Sequence, residues 1–273
     1  MKPLFKWSGG KSREIKNIAP HVPDKFDTYY EPFVGAGAVW LHLEHKKCVI
    51  NDSYHDVANF YNVLKQDGPK LIERLSQITD EYNSSEKETK QQMELLSDKI
   101  YYRYRDSAPD NDFDKAVRFY ILRQLSFSGM LRFNKDGKYN VPFGWYKKMK
   151  AIDFNQDKLS SLLEHTKILN VDWKMAVETA NENDFVFLDP PYTRKFQKYH
   201  PNGEFESQHH IELASWFKNT SAKALIIINK DDFTHDLYKD FLVDQYDFKY
   251  SIQFRNRMTK KDSNTSHLMA KNY

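Results

Sequence analysis

Short apolar runs alternate with stretches of helical spacing at both ends of the chain. Strand-length runs occur at 28–33, 48–51, 167–171, 184–188, 224–229, 248–254 and 267–271. Apolar positions three and four apart predict helices over 12–19, 36–45, 208–218 and 233–242. Short apolar strands separated by helices predict a parallel sheet covered by helices, because each crossover lays a helix on a sheet face. The last two runs have no helical pattern between them, which predicts an antiparallel hairpin at the sheet edge. The middle of the chain reads differently. From 54 to about 127 the spacing is helical, with the polar stretch 83–88 as a loop or helix start. At 131–141 the pair Asp136-Gly137 lies between strand formers and predicts a β-hairpin. The pattern as a whole is an α/β domain interrupted by a mostly helical insert.

Composition narrows the class. A chain of 273 residues suits one large domain, or one domain carrying a sizeable insertion. Hydrophobic residues make up 40% and charged ones 29%, with a mean hydropathy of −0.77. The longest apolar run, 224–228, is strand-sized, far short of the ~18 residues of a membrane span. The single Cys48 excludes a disulfide framework and a multi-cysteine zinc site. Scattered histidines, His209-His210 included, read as surface or core residues, so no metal is expected. Met1 to Lys6 has no apolar signal core, which predicts a cytoplasmic protein.

A formal net charge of +3 says little about partners, but its distribution says more. Residues 113–150 hold nine Lys/Arg against Asp114 and Asp136, a net +7, so the rest of the chain is net negative. Aromatics are interleaved there, among them Phe127, Phe133, Phe143 and Trp145. A solvated helix face over core aromatics would look similar. The density of positive charge equally suits a phosphate backbone, with rings available for gaps in a base stack.

Three motifs carry chemistry. Glu31-Pro32-Phe33-Val34-Gly35-Ala36-Gly37-Ala38-Val39 follows a strand pattern and opens a helix pattern, and its glycines allow close backbone approach to a ligand. Trp40 stands where a dinucleotide fingerprint requires a third glycine or alanine, which disfavours hydride transfer. Asp52 ends the next strand run, where a carboxylate accepts from ribose hydroxyls, or simply closes a turn. Asp189-Pro190-Pro191-Tyr192 follows a third apolar strand. Its prolines remove two N–H donors, leaving carbonyl acceptors, a carboxylate and a flat ring, a set that suits the exocyclic amine of a planar base. Lys6-Trp7-Ser8-Gly9-Gly10-Lys11-Ser12 lacks the glycine spacing of a Walker loop and no strand precedes it, so ATP binding is rejected.

Together, 6–11, 31–37, Asn51-Asp52 and Asp189 to Tyr192, in this order, resemble the Dam-type DNA adenine-N6 methyltransferases, group alpha. Ser128 to Asn134 and Tyr139 to Gly144 resemble that family's target-recognition hairpin, so the likeness covers nearly the whole chain. It implies a Rossmann-like class I methyltransferase sheet with an inserted, mostly helical recognition domain. Residues 1–55 and 145–273 would form the catalytic domain binding S-adenosylmethionine, and 56–144 the recognition domain. Trp7, Lys11, Phe33, Gly35, Ala36, Gly37, Asp52, Asp172 and Asp189 would surround the cofactor, with Asp52 on its ribose and Asp172 on its adenine amine. Asp172 also reads as a plain N-cap. Asp189, Pro190 and Tyr192 would meet a flipped adenine. Lys6 and Arg132 resemble the guanine readers, and Phe127 an aromatic that fills the gap left by the extruded base. Ser128, Met130, Asn134 and Pro142 lie where the family contacts DNA.

Two departures stand out. Ser128 replaces a common asparagine, and Asn229-Lys230-Asp231-Asp232 replaces the usual Ser-Asn-His/Tyr-Asp pattern. Tyr199 is a further candidate contact. The resemblance implies double-stranded DNA as partner, GATC as target, S-adenosylhomocysteine as product, a monomer, no metal, and room for a cognate restriction nuclease. Competing readings are methylation of RNA or a protein amide, and a non-catalytic DNA-binding regulator. The basic insert with its hairpin argues against the first two. Intact Gly35, Gly37 and Asp189 to Tyr192 argue against the last.

Overall fold

A computed structural model of the protein describes residues 1–150, 152, 156–192, 205–249 and 264–273. Seven strands form one sheet in the order β3-β2-β1-β4-β5-β7-β6. These are β1 (Tyr29–Glu31), β2 (Cys48–Asn51), β3 (Thr166–Leu169), β4 (Phe185–Leu188), β5 (Lys223–Asn229), β6 (Leu242–Lys249) and β7 (Asn264–Lys271). The first five run parallel. β7 slots antiparallel between β5 and β6, the expected edge hairpin. β4 and β5 are apolar at nearly every position because helices cover both faces. β1 and β4 are neighbours though far apart in sequence, so strand order reverses between them. A crevice opens at such a point beyond the carboxyl ends of the strands.

Ten helices flank the sheet among the described residues. α1 (Ile15–Ile18) is short, because Pro20 starts a separate 3-10 turn, Ala19–His21; the expected helix over 12–19 is therefore broken. α2 (Ala38–Leu43) follows the glycine loop. α3 (His55–Ser84) supplies a 30-residue backbone to the insert and kinks at Asp67 (φ −129°, ψ 33°) just ahead of Pro69, which lacks the N–H a continuous helix needs. α4 (Lys90–Leu96) begins at a Thr89 capping box, runs through a wide π turn, Ser97–Tyr102, and ends in α5 (Arg103–Arg105). α6 (Asp112–Leu125) packs on α3, and its Phe119 and Tyr120 rings meet Phe60. One apolar core runs from the sheet through α3, α4 and α6.

α7 (Gln156–Glu164) and α8 (Trp173–Ala176) were not expected from the pattern, both being short and polar on most faces. α9 (Ser207–Asn219) matches its expectation within a residue at each end, whereas α10 (Asp232–Tyr238) stops four residues early. β6 starts six residues ahead of the expected 248. Its alternating Leu-Val-Asp-Gln-Tyr-Asp-Phe-Lys is that of an edge strand with one wet face, which masks it as a helix tail. The remainder of that expected strand, 250–254, lies outside the described residues.

Candidate active site and nucleic-acid interface

Two loops meet at the reversal. After β1, Gly35 (φ +47°) and Gly37 (φ +66°) turn the chain into α2, with Gly37 as its left-handed N-cap. A side chain at Gly35 would stand 2.5 Å from Trp7 Nε1, so the indole lies directly on this loop. After β4 comes Asp189. The N-terminal segment touches both loops: Trp7 covers Gly35, and Lys11 Nζ bonds Asp189 Oδ2 at 2.7 Å and the Gly9 carbonyl at 2.8 Å. Lys11 is buried, and its ammonium lies 5.1 Å from the centroid of the Tyr192 ring. Burial pushes the Asp189 carboxyl above the usual carboxylate range, and Lys11 opposes that push.

Asp52, expected to meet the cofactor, backs the glycine loop. Its Oδ2 accepts from Gly35 N and its Oδ1 from Tyr54 N, both at 2.9 Å. Burial raises it to about 6, against those two hydrogen bonds. Trp7 stacks on Tyr54 (6.5 Å, 29°), and the Phe33 ring packs on Trp173 and Phe205. Asp172 is the N-cap of α8, accepting from Lys174 N at 2.9 Å. That bond uses one oxygen of an exposed carboxylate and leaves acceptor capacity on the group. The donor set (a carboxylate beside a tight glycine loop, aromatic faces, an exposed carboxylate) fits a ligand made of a ribose, a planar base and an amino-acid tail. Glu31 is fully buried behind this loop, accepting from Tyr29 OH (2.7 Å) and Trp40 N (2.9 Å), and burial raises it to about 8.

Three groups behind the Asp-Pro-Pro-Tyr loop went unnoticed in the sequence. Glu14 Oε2 accepts from Tyr246 OH at 2.8 Å and meets His267 Nδ1 at 2.5 Å, both acid and imidazole being almost wholly buried. The edge of His267 faces the Tyr192 ring at 5.3 Å, 71°. No local signal marks Glu14 and His267, which lie 253 residues apart.

The residues expected to meet DNA form a second group. Ser126 bridges Phe143, and Phe127 N donates to the Pro142 carbonyl at 2.9 Å, which brings Phe127 (37% exposed) beside Pro142. Ser128 sits in the left-handed region (φ +54°), its N–H held by Tyr146 OH at 3.1 Å. The hairpin is present as a narrow one: Phe133 bridges Tyr139, with Asn140 N donating to Arg132 O at 3.0 Å. Arg132 is exposed, and its guanidinium is held across the hairpin by Asn140 Oδ1 (2.8 Å) and O (2.9 Å). Asn134 shapes the turn, its Oδ1 accepting from Asp136 N and Lys138 N. Met130 is half-buried. Lys6 points inward: its Nζ donates to the Gln124 carbonyl at 2.6 Å and lies 3.6 Å over the Tyr146 ring, and burial with nearby Lys150 lowers it to about 8.

Arg123, one of the nine cations of residues 113–150, is 1% exposed. Its guanidinium donates to Gly129 O (3.1 Å), Met130 O (2.9 Å) and Tyr139 OH (2.6 Å), and Tyr139 OH donates on to Met130 O. One buried cation thus ties the Phe127 turn to the hairpin. The only hint in the sequence was its place within the apolar run of α6. Tyr199 lies outside the described residues.

A sheet of this order with its ligand crevice between β1 and β4, a carboxylate–proline–proline–tyrosine loop at the crevice and a basic hairpin beside it define a nucleotide-cofactor-dependent enzyme acting on nucleic acid. A family model for D12 class N6 adenine-specific DNA methyltransferases matches residues 7–252. The chain belongs to that family, whose reaction takes its methyl group from S-adenosylmethionine and delivers it to DNA. Type II methyltransferase M.CviBI of Paramecium bursaria Chlorella virus NC1A is 34% identical, each chain being covered in full. Type II methyltransferase M.MjaIII of Methanocaldococcus jannaschii is 32% identical over 100% of this chain and 99% of its own. A DNA adenine methylase of Escherichia coli is 27% identical over 87% of this chain and 84% of its own. No described helix is long and apolar enough to cross a membrane.

Proposed function

We propose that the protein methylates adenine N6 within a short site of double-stranded DNA, GATC being the leading target, after rotating the base out of the stack. The observation that carries this reading is the Lys11–Asp189 ion pair, which joins the N-terminal motif to the Asp-Pro-Pro-Tyr loop at the edge of the glycine loop. Trp7, Phe33, the 35–37 loop, Asp52 and Asp172 hold the cofactor, which supplies an electrophilic methyl on a sulfonium. A base inside the duplex cannot reach that crevice, so extrusion at a cost of a few kcal/mol precedes transfer. The lone pair of the N6 amine is delocalised into the ring. Asp189 and the Pro190 carbonyl accept hydrogen bonds from its two N–H groups, draw the nitrogen toward tetrahedral geometry and free that lone pair, while the Tyr192 ring holds the base by its face. Placement of nitrogen and methyl in line supplies much of the acceleration. Once methylated, the nitrogen is cationic and loses its proton without a strong base, Asp189 taking it.

In the second group, Phe127 occupies the space left by the base, Arg132 offers its fork to guanine O6 and N7, and Ser128, Met130, Asn134 and Pro142 line the duplex. Lys6 reads a second guanine after leaving Gln124 and Tyr146. Residues 1–55 and 145–273 act as the cofactor domain and 56–144 as the recognition domain, in a monomer that needs no metal and works in the cytoplasm beside its DNA. The full-length match to two type II methyltransferases favours a second reading of its role, as partner of a restriction nuclease at another motif.

Sequencing of unmethylated DNA for N6-methyladenine, after incubation with the protein and S-adenosylmethionine, tests this. The mark in GATC is the expected result; in another motif it keeps the chemistry and discards the GATC assignment. With Asp189→Ala the mark should vanish while DNA binding remains, and retained turnover would overturn the assignment of Asp189.

A further inference from the structure

The Lys11–Asp189 pair does not stand alone. Glu14 follows Lys11 by one turn, its N–H bonding the Lys11 carbonyl at 2.8 Å. Glu14 is 1% exposed and His267 is not exposed at all. A carboxylate and an imidazole so buried are stable only when paired, and here the pair joins two distant pieces of chain. His267 belongs to β7, between Asn229 of β5 and Tyr246 of β6 in the sheet register. Tyr246 OH bonds the same Glu14 oxygen that meets His267. Phe248 stacks on His267 at 5.2 Å, 19°, and Arg13 covers Phe248 at 4.7 Å. Tyr192 packs on the same imidazole at 5.3 Å, 71°.

The N-terminal turn that carries Lys11 is therefore fastened to the edge hairpin by Glu14, and the hairpin in turn supports the Tyr192 ring. We propose that Glu14 and His267 are positioning residues: their buried contact sets Lys11 on Asp189 Oδ2 and Tyr192 in its orientation, leaving Asp189 Oδ1 for the adenine amine. The inference rests on the reading of Asp189 and Tyr192 as the groups that meet adenine.

The pair is electrostatic as well as mechanical. Among the described residues, Asp189 is faced by Lys11 and Glu14 from the N-terminal turn, Tyr29 and Glu31 from β1, Tyr246 from β6 and His267 from β7. Glu14 raises the Asp189 carboxyl and His267 lowers it. Removing His267 alone leaves the Glu14 influence with one opponent fewer. Removing both takes away two opposing influences.

The test is the pH profile of single-turnover methylation. His267→Gln should lower the rate about tenfold and move its acidic limb up by about half a unit, with DNA affinity unchanged. The double variant Glu14→Gln with His267→Gln should return the limb to its original pH while the rate stays low. Tyr246→Phe, which deletes one hydroxyl and keeps the ring, should give a smaller loss of rate in a protein that folds normally. If the folded variants match the parent in rate and limb, losing only melting temperature, the pair is structural and the inference is overturned. Asp189→Ala, run alongside, separates the two levels. If it is inactive while the other variants behave as the parent, only the pair's role falls; if it is active, the reading of Asp189 falls and the inference with it.

Discussion

Glu31 shows how much a single position can decide. Its carboxyl is held by Tyr29 OH and Trp40 N in the turn from β1 to α2, and burial raises it to about 8 from an ordinary 4.5. At neutral pH it is therefore protonated in the folded protein and ionised in the unfolded chain. The folded state binds more protons between these two values, so the stability that Glu31 confers is complete below about 4.5 and is lost as pH rises toward 8, at up to roughly 1.4 kcal/mol per unit. Glu31→Gln keeps a carbonyl oxygen for both donors and cannot ionise. Its melting temperature relative to the parent should rise steadily from pH 5 to pH 8, as followed by thermal denaturation. Parallel curves would show that Glu31 does not titrate in that window. Asp52, also raised, is common to both proteins and cancels from the comparison. Gly35 is a second decisive position: Gly35→Ala combines a φ of +47° with a Cβ 2.5 Å from Trp7 Nε1, and cofactor binding measured by calorimetry should weaken at least about tenfold.

At the scale of elements, the recognition hairpin separates two kinds of arginine. Arg132 projects from it and is held only by Asn140, so Arg132→Ala should relax discrimination at one guanine by about 1–3 kcal/mol. Arg123 lies beneath it and bonds the turn at Gly129 and Met130 together with Tyr139. Arg123→Met strips the donor from the Gly129 carbonyl and leaves the Met130 carbonyl to Tyr139 OH alone, and discrimination should loosen at several positions at once while cofactor affinity holds. Methylation rates on a set of single-mismatch duplexes distinguish the two; a one-position effect of Arg123→Met would remove its bracing role. In the sequence only the apolar run around Arg123 separates these arginines, and that α6 turns Arg123 inward beneath the hairpin is set by packing. The strands and their carboxyl-end motifs were legible, since burial on both faces writes continuous apolar runs and glycines mark the turns. The start of β6, the broken α1 and the short α7 and α8 were not, because one-faced strands and polar helices of a few turns share their patterns with loops. Glu14 and His267 were invisible for a different reason: their meeting is created by the place of β7 in the sheet.

For the whole molecule, the consequence concerns charge. Residues 113–150 carry nine cations, but the fold does not present all of them. Arg123 is buried, Arg118 donates to the carbonyls of Tyr104 and Arg105, and Lys115 turns to Asp112. Arg132, Lys135, Lys138, Lys147, Lys148 and Lys150 remain exposed. Each phosphate neutralised by one of these releases a counterion, with a slope of about −0.9 per contact in the logarithm of affinity against that of salt. With Arg132 on a guanine edge, the five lysines set a limit of about −4.5 for this segment, where the sequence count of nine would allow about −8. Cofactor affinity, held by one crevice away from these lysines, should be nearly flat over the same range. Titrating binding of a cognate duplex between low and physiological salt measures the slope. A value near −8 would mean that Arg118, Lys115 or cations outside the segment join the interface, and a value near zero would remove this face from DNA altogether. Within the limit, Lys147→Ala with Lys148→Ala should reduce the slope by about two and weaken all sequences alike, whereas Arg132→Ala changes which sequence is chosen. That contrast follows from where the fold puts its charge: Lys135 and Lys138 stand at the turn of the hairpin, Lys147 and Lys148 follow it, and Arg132 stands on its arm opposite Asn140.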